Sequence, residues 1–183
     1  AGVILFGALI LMLPISSASG IVTPFHSAIF TSTSAVCVTG LVVLDTGSYW
    51  SPLGQAVILL LIQIGGLGVV TAAVSFAMLA GRKISLMQRS TMQDAISAPR
   101  LGGIVRLTRF VLKGTLLIEL IGALCMLPSF CGEYGASGIW KAVFHSVSAF
   151  CNAGFDILGT GAHTYPSLTE YMGKYMAFAT PEI

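Results

Sequence analysis

The sequence predicts an all-α integral membrane protein of helix–pore loop–helix repeats, in which re-entrant half helices lead into extended filter loops. Three observations support this fold class. The composition is too apolar for a surface that faces water, the basic residues concentrate in one stretch, and one segment occurs twice at a spacing of 114 residues. Each observation constrains a different part of the fold.

Composition excludes most soluble classes of protein. Of the 183 residues, 55% are hydrophobic and 9% are charged, with a mean hydropathy of +0.90. Soluble domains carry about 25% charged residues, so lipid is expected to cover much of this surface. The net charge of +2 is too small and too dispersed to indicate nucleic-acid binding. The four cysteines form no CxxC pair, which argues against a zinc site.

Apolar segments predict the membrane spans. Residues 56–80 carry no charge over 25 positions, and as a helix they would extend about 37 Å, enough to cross a bilayer. Residues 114–130 are apolar except for Glu119 and predict a second span. Residues 2–15 and 171–183 resemble partial spans, so we expect the chain to be part of a longer protein.

Basic residues orient these spans. Seven of the nine lysines and arginines fall between residues 82 and 113, and the positive-inside rule places that connector in the cytoplasm. The outer stretches then carry four acidic residues, which would raise the local cation concentration if they face solvent. Ordinary loop solvation is the alternative for each of them. These acids are Asp45, Glu133, Asp156 and Glu170.

An internal repeat defines the organisation of the chain. Shifting the sequence by 114 positions aligns seven residues of the first segment with identical residues in the second. They are Ala28, Phe30, Ser32, Ser34, Ala35, Cys37 and Gly40, which match Ala142, Phe144, Ser146, Ser148, Ala149, Cys151 and Gly154. Transport proteins are often built from such repeats. We therefore divide the chain into a first repeat (1–80), a connector (81–105) and a second repeat (106–183).

Each copy has the pattern of a pore loop. Thr23 and Pro24 predict an N-cap and first-turn proline, so a helix should run from there to about Ala35, roughly 18 Å or half a membrane. Residues 138–149 predict the same half helix in the second copy. Gly40 and Gly154 then allow positive φ, which lets carbonyl groups turn toward a common axis. Carbonyls together with helix C-termini make a cation site.

With these residues identified, the sequence resembles the superfamily of Trk, Ktr and HKT potassium transporters, and it is most similar to Ktr-type membrane subunits. The resemblance rests on residues 34–41 (SAVCVTGL), 62–68 (IQIGGLG), 81–85 (GRKIS) and 148–156 (SAFCNAGFD). It implies four helix–pore loop–helix repeats around one pore, of which this chain holds the first and most of the second.

The resemblance assigns ten residues to a backbone-carbonyl potassium filter. They are Cys37, Val38, Thr39, Gly40, Leu41, Cys151, Asn152, Ala153, Gly154 and Phe155. Relatives with serine at the first filter glycine tend to pass sodium, so Gly40 implies potassium. Thr39 and Asn152 either add a side-chain oxygen to the filter or bond the pore-helix backbone behind it.

The resemblance also implies location, partners and cargo. We expect a multi-pass protein of the plasma or inner membrane, in contact with lipid, as a homodimer with a cytoplasmic nucleotide-binding regulatory subunit. The connector at residues 84–97 is either a short amphipathic helix that contacts this subunit or a linker. Potassium is the transported ion, and no bound cofactor or nucleic acid is expected.

Three other features leave alternatives open. Gly65, Gly66 and Gly68 lie in an apolar span without a preceding strand, which indicates close helix packing and excludes a dinucleotide loop. Glu119 is an intramembrane acid, either functional or paired with a base on a neighbouring helix. His26 and His145 lie at different offsets in the two copies, and neither has a cysteine or aspartate partner at a catalytic spacing. The interpretation is a potassium uptake pore and not an enzyme. The alternatives are an incomplete or regulatory subunit that needs another chain, a sodium-passing relative, or a Cys/His membrane enzyme.

Overall fold

The computed structural model describes residues 1–68 and 104–160, with side chains from residue 109 in the second range. This part of the chain is helical and contains no β-strand, in agreement with the predicted all-α class. Its helices are α1 (Gly2–Met12), α2 (Phe25–Cys37), α3 (Pro52–Gly66), α4 (Ile104–Tyr134) and α5 (Ser137–Phe150), with a 3-10 turn at Pro14–Ser16. In the first repeat α1 packs on α2 and α3, in the second α4 packs on α5, and α3 joins the two repeats by contacting α5.

The short helix α2 starts and ends slightly later than predicted. Pro24 is its N-cap and accepts the Ser27 and Ala28 amides at 3.1 and 3.0 Å, so the helix begins at Phe25. Thr23, the predicted cap, instead accepts a hydrogen bond from the Tyr49 hydroxyl at 3.2 Å. In the second repeat α5 is one residue longer at each end than the predicted 138–149. Both predicted short helices are therefore present with shifted boundaries, and their re-entrant course in the membrane stays a prediction.

Helix α3 covers only part of the predicted span 56–80. It begins at Pro52, where the Ser51 side chain accepts the Gly54 amide at 3.2 Å, and it ends at Gly66. Glycine disfavours the helical state because it loses more backbone freedom than other residues. Two glycines at the C-terminus, followed by Gly68 at a φ of 79°, therefore end the helix there. Residues 69–80 and the connector segment 84–97 lie outside the described residues.

Helix α4 contains the predicted second span. Among the described residues, one stretch is long and apolar enough to cross a membrane, Arg109–Tyr134, with a mean hydropathy of 2.0 over its apolar window. Two shorter apolar helices, Gly2–Met12 and Pro52–Gly66, accompany it. Large apolar side chains of α4 are more than half exposed, which is rare on a water-facing surface of this extent. They are Phe110, Leu116, Leu117, Ile118, Leu120, Ile121 and Leu124.

The same serine–glycine contact attaches the half helix to the preceding helix in both repeats. A serine hydroxyl donates to a backbone carbonyl on that helix, at 2.7 Å in the first repeat and 2.5 Å in the second. One turn further on, a glycine makes room for the hydroxyl, since a Cβ there would lie only 2.6 or 2.5 Å from it. The residues are Ser32 with Ile4 and Gly7, and Ser146 with Glu119 and Gly122. The two segments aligned by the 114-residue shift therefore share this contact.

Replacing Gly65 with alanine is expected to destabilise the protein. A Cβ at Gly65 would collide with the Val36 backbone of α2, which cannot move aside as a flexible side chain could. Overpacking of this kind costs about 1–3 kcal/mol. The matched control is Gly114→Ala in α4, where a Cβ meets nothing within 4 Å. The melting temperature of the purified full-length protein in detergent should fall for Gly65→Ala and hold or rise for Gly114→Ala. Equal melting temperatures would contradict the packing described here.

Candidate ion filter

The two predicted filter loops lie side by side. A Cβ built on Gly40 would stand 2.7 Å from the Ala153 carbonyl oxygen and 3.2 Å from the Gly154 Cα. A Cβ on Gly154 would stand 3.3 Å from the Gly40 Cα. The loops therefore approach each other so closely at these two positions that neither tolerates a side chain without displacement.

The two loops also share one backbone conformation. Gly40 and Gly154 both have a φ of 71°, which confirms the predicted positive φ. Two residues earlier, Val38 and Asn152 are left-handed as well, at 57° and 56°. Asparagine tolerates this region, but a β-branched valine is a true outlier that costs about 1–3 kcal/mol. The repeat therefore preserves a strained backbone geometry even where the side chains differ.

Backbone amides of both loops bond back to the half helices. The Thr39 amide donates to the Ser34 carbonyl at 3.0 Å, and the Ala153 amide donates to the Ser148 carbonyl at 2.7 Å. The preceding amides close onto the last turn of each helix in the same way. Two amides of each loop are thus engaged by the helix, and the loop carbonyl oxygens are groups that suit a cation.

Side chains behind the loops differ between the repeats. The Thr39 and Ser34 hydroxyls are 2.9 Å apart and hydrogen bonded, so the threonine bonds a pore-helix side chain and not the helix backbone. The second repeat has Ala153 at the matching position and lacks this hydroxyl. There the Ser148 hydroxyl donates to the Phe155 carbonyl at 2.7 Å. The Asn152 side chain is exposed, and its role in a filter remains a prediction.

The remaining predicted filter residues lie in unequal environments. Cys37 is exposed at the end of α2, and Leu41 is 59% exposed, whereas its counterpart Phe155 is fully buried in the core. Cys151 packs against Gly66 of α3, where a Cβ would meet its sulfur. This contact and that of Gly65 with Val36 confirm the predicted packing role of Gly65 and Gly66, whereas a Cβ on Gly68 would meet nothing within 4 Å among the described residues.

Gln55 makes hydrogen bonds between the repeats that were not predicted from the sequence. Its side-chain nitrogen lies 3.2–3.3 Å from three carbonyl oxygens, those of Thr46, Gly47 and Trp50. Its side-chain oxygen accepts a hydrogen bond from the Trp140 ring nitrogen at 2.8 Å. Gln55 therefore fixes the return segment of the first repeat to α5 of the second. The available signal was a buried polar residue at the start of an uncharged helix.

Asp45 does not form the exposed acidic face that the sequence suggested. It is only 6% exposed, and its Oδ2 accepts the Ser48 amide at 2.8 Å and the Ser48 hydroxyl at 2.5 Å. The carboxylate also packs on Gly159, where a Cβ would collide with it. Asp45 thus holds the return segments of both repeats together. Glu170 lies outside the described residues.

Asp156 and Lys141 form a polar region beside Asp45. The Lys141 ammonium donates to the Ile157 carbonyl at 2.5 Å. Burial raises the pKa of the Asp156 carboxyl, the Leu158 amide lowers it, and the charges of Asp45 and Lys141 oppose each other.

The two pore-helix histidines differ in environment. His26 is exposed on α2, and His145 is buried and stacked on Phe130 with ring centroids 5.2 Å apart. The His145 Nδ1 lies 2.7 Å from the Lys141 carbonyl oxygen. His145 is thus a packed side chain of α5.

Comparison with known proteins identifies the class of this chain. The profile of the TrkH family, described as cation transport protein, matches residues 6–169. The chain belongs to this family and is therefore part of a membrane transport protein. The resemblance predicted from the sequence is confirmed.

Individual relatives share 32–46% identity with the chain. The chain is 46% identical over 157 residues to the potassium/sodium uptake protein NtpJ of Enterococcus hirae, covering 85% of the chain and 35% of that protein. It is 44% identical over 155 residues to the Ktr system potassium uptake protein B of Bacillus subtilis, covering 84% and 34%. The Ktr system potassium uptake protein D of B. subtilis is 32% identical over 170 residues, covering 92% and 37%. The chain thus spans about a third of the length of these relatives.

The hydrogen bond between Gln55 and Trp140 should couple the two repeats energetically. We expect Gln55→Met and Trp140→Phe each to lower the stability of the full-length protein. The double variant should be less destabilised than the sum, by about 1 kcal/mol, because the shared hydrogen bond is lost only once. Denaturant unfolding of the four proteins in detergent measures this coupling. Strict additivity would show that the hydrogen bond contributes nothing to the contact between the repeats.

Proposed function

We propose that this chain supplies two of the four filter loops of a potassium uptake protein. Potassium is held by backbone carbonyls of residues 37–41 and 151–155. The observation that carries the proposal is the close pairing of two loops with the same left-handed backbone at Gly40 and Gly154. A pair of loops with matched conformation, contributed by two repeats, suits an ion that is coordinated from several sides at once.

The half helices contribute electrostatically to this proposed site. Helix α2 has 13 residues, about 20 Å in length, which is too short to cross a bilayer. In the proposal it enters the membrane, ends near the middle and returns as extended chain. Its C-terminal end carries partial negative charge toward the filter loop, as does that of α5. Irregular backbone at this depth is tolerated because it lines a hydrated path.

The proposed arrangement in the membrane follows the charge distribution. Residues 81–105 face the cytoplasm, and the filter loops open toward the outer face. The exposed apolar side chains of α4 contact lipid. From the family resemblance we also propose a homodimer and a cytoplasmic nucleotide-binding regulatory subunit. The cargo is K⁺, and the transport step needs no bound cofactor.

Sodium passage is the second candidate. NtpJ, 46% identical to this chain, is named as a potassium/sodium uptake protein. Gly40 favours potassium, since a serine at this position is associated with sodium passage in the resembling family. Because the chain spans about a third of its relatives, either function requires the remaining repeats, from the same chain or from another.

Complementation tests the proposed function directly. The full-length gene product should restore growth of a potassium-uptake-deficient strain at low external potassium and should take up rubidium. Uptake of sodium without potassium or rubidium would favour the second candidate. If residues 1–183 alone are expressed, no uptake is expected, because two loops surround only half of a filter.

Serine at either filter glycine should reduce selectivity for potassium over sodium. In Gly40→Ser or Gly154→Ser, the new Cβ pushes the loops apart and forces a residue other than glycine into a positive φ. We expect the ratio of potassium to sodium uptake to fall about tenfold, equivalent to about 1.4 kcal/mol. The control is Gly135→Ser, a positive-φ glycine outside the loops whose Cβ would meet nothing within 4 Å. An unchanged ratio of potassium to sodium uptake in both filter variants would contradict the assignment of these loops as the filter.

The cysteines of the loops are expected to be replaceable. Cys37→Ser and Cys151→Ser should each retain potassium uptake within about twofold, a change of about 0.4 kcal/mol, because coordination uses backbone oxygens. Rubidium uptake by the full-length variants measures this outcome. Abolished function in both, with normal amounts of folded protein in the membrane, would support the alternative of a cysteine-based enzyme.

A further inference from the structure

Glu119 is a buried acid in the middle of α4. Its side chain is 5% exposed, although the residues around it on the helix are exposed and apolar. Its Oε1 accepts a hydrogen bond from the Gln63 side-chain nitrogen at 2.8 Å. The sequence allowed a basic partner for Glu119, and in the structure its partner is the side-chain amide of Gln63 on α3. An ionised carboxylate buried without a cation is strongly disfavoured.

Gln63, the amide partner of Glu119, has a side-chain oxygen without a hydrogen-bond donor among the described residues. The Gln63 side-chain oxygen is buried and accepts no hydrogen bond from the part of the chain that the structure describes. An ionised carboxylate only accepts hydrogen bonds, whereas a protonated carboxyl also carries one O–H donor. A protonated Glu119 can therefore donate the hydrogen bond that the Gln63 side-chain oxygen would accept. Carboxyl and amide are both planar, with a donor and an acceptor on one carbon, so the two can close a cyclic pair.

We propose that Glu119 is protonated and forms a neutral carboxyl–amide pair with Gln63, and that this pair positions the second filter loop. The positioning role rests on the proposed potassium function. The charge state of the pair does not. Glu119 and Gln63 are thus positioning residues that act through the loop and do not touch the ion.

The pair is connected to the filter through short steps. The Glu119 backbone carbonyl accepts the Ser146 hydroxyl of α5 at 2.5 Å. Gln63 lies one turn before Gly66, which packs on Cys151, the first residue of the second filter loop. The side-chain pair therefore joins α3 to α4 at the residue whose backbone carbonyl joins α4 to α5. Among the described residues, the Cys151 thiol, at the C-cap of α5, interacts electrostatically with Glu119.

Charge-matched variants of the full-length protein separate the possible roles of Glu119. Glu119→Gln keeps a donor and an acceptor, so it should preserve rubidium uptake and potassium-over-sodium selectivity within about twofold. Glu119→Leu removes the pair and should lower selectivity on the order of tenfold, the size expected for a lost buried hydrogen bond. The exchanged pair Gln63→Glu with Glu119→Gln again places one carboxyl opposite one amide, so it should also keep selectivity within about twofold.

Two results would overturn the proposal. Loss of selectivity in Glu119→Gln equal to that in Glu119→Leu would show that the negative charge is needed, and unchanged selectivity in Glu119→Leu would exclude a positioning role. Infrared spectroscopy reports the charge state independently of transport, because the carbonyl band of a protonated carboxyl should be present in the wild type and absent in Glu119→Gln. A wild-type protein that shows this band but transports no potassium would refute the proposed function and leave the neutral pair intact.

Discussion

Gly40 and Gly154 bring the two filter loops into direct backbone contact, and the helices around them are packed to permit it. The loops contact each other through bare backbone, since a Cβ on either glycine would press on the other loop. That contact requires a left-handed conformation that glycine adopts without steric cost. Two residues earlier the same conformation falls on Val38, where it is unfavourable. Strain of this kind persists only where surrounding contacts fix the chain.

The surrounding contacts come mainly from α3. Gly65 and Gly66 allow this helix to touch both repeats, and Gln63 bonds Glu119 of α4. Gln55, near the start of the same helix, bonds Trp140 of α5. Among the described residues, the side chains of Gln55, Gln63 and Glu119 thus add polar contacts between the helices of the two repeats. In a low-dielectric interior such bonds are strong when satisfied and costly when broken.

Composition and the 114-residue repeat sufficed to predict the helical class, the half helices and the positive φ of both glycines. Helix ends were less accessible, because Thr23 makes a tertiary bond with Tyr49 in place of a cap and because α3 stops at its glycines. The roles of Gln55 and Asp45 could not be predicted, since both depend on which segments meet across the repeats. Sequence alone does not distinguish a buried aspartate from an exposed one, whereas in the structure Ser48 and Gly159 enclose the Asp45 carboxylate.

Locating the bound ion tests the filter assignment most directly. Crystals of the full-length protein grown in rubidium should show anomalous density within coordination distance of the Gly40 and Gly154 carbonyl oxygens. The density should weaken when potassium competes, because both ions would use the same oxygens. Rubidium bound only away from both loops, in a protein that transports potassium, would contradict the assignment of residues 37–41 and 151–155 as the filter.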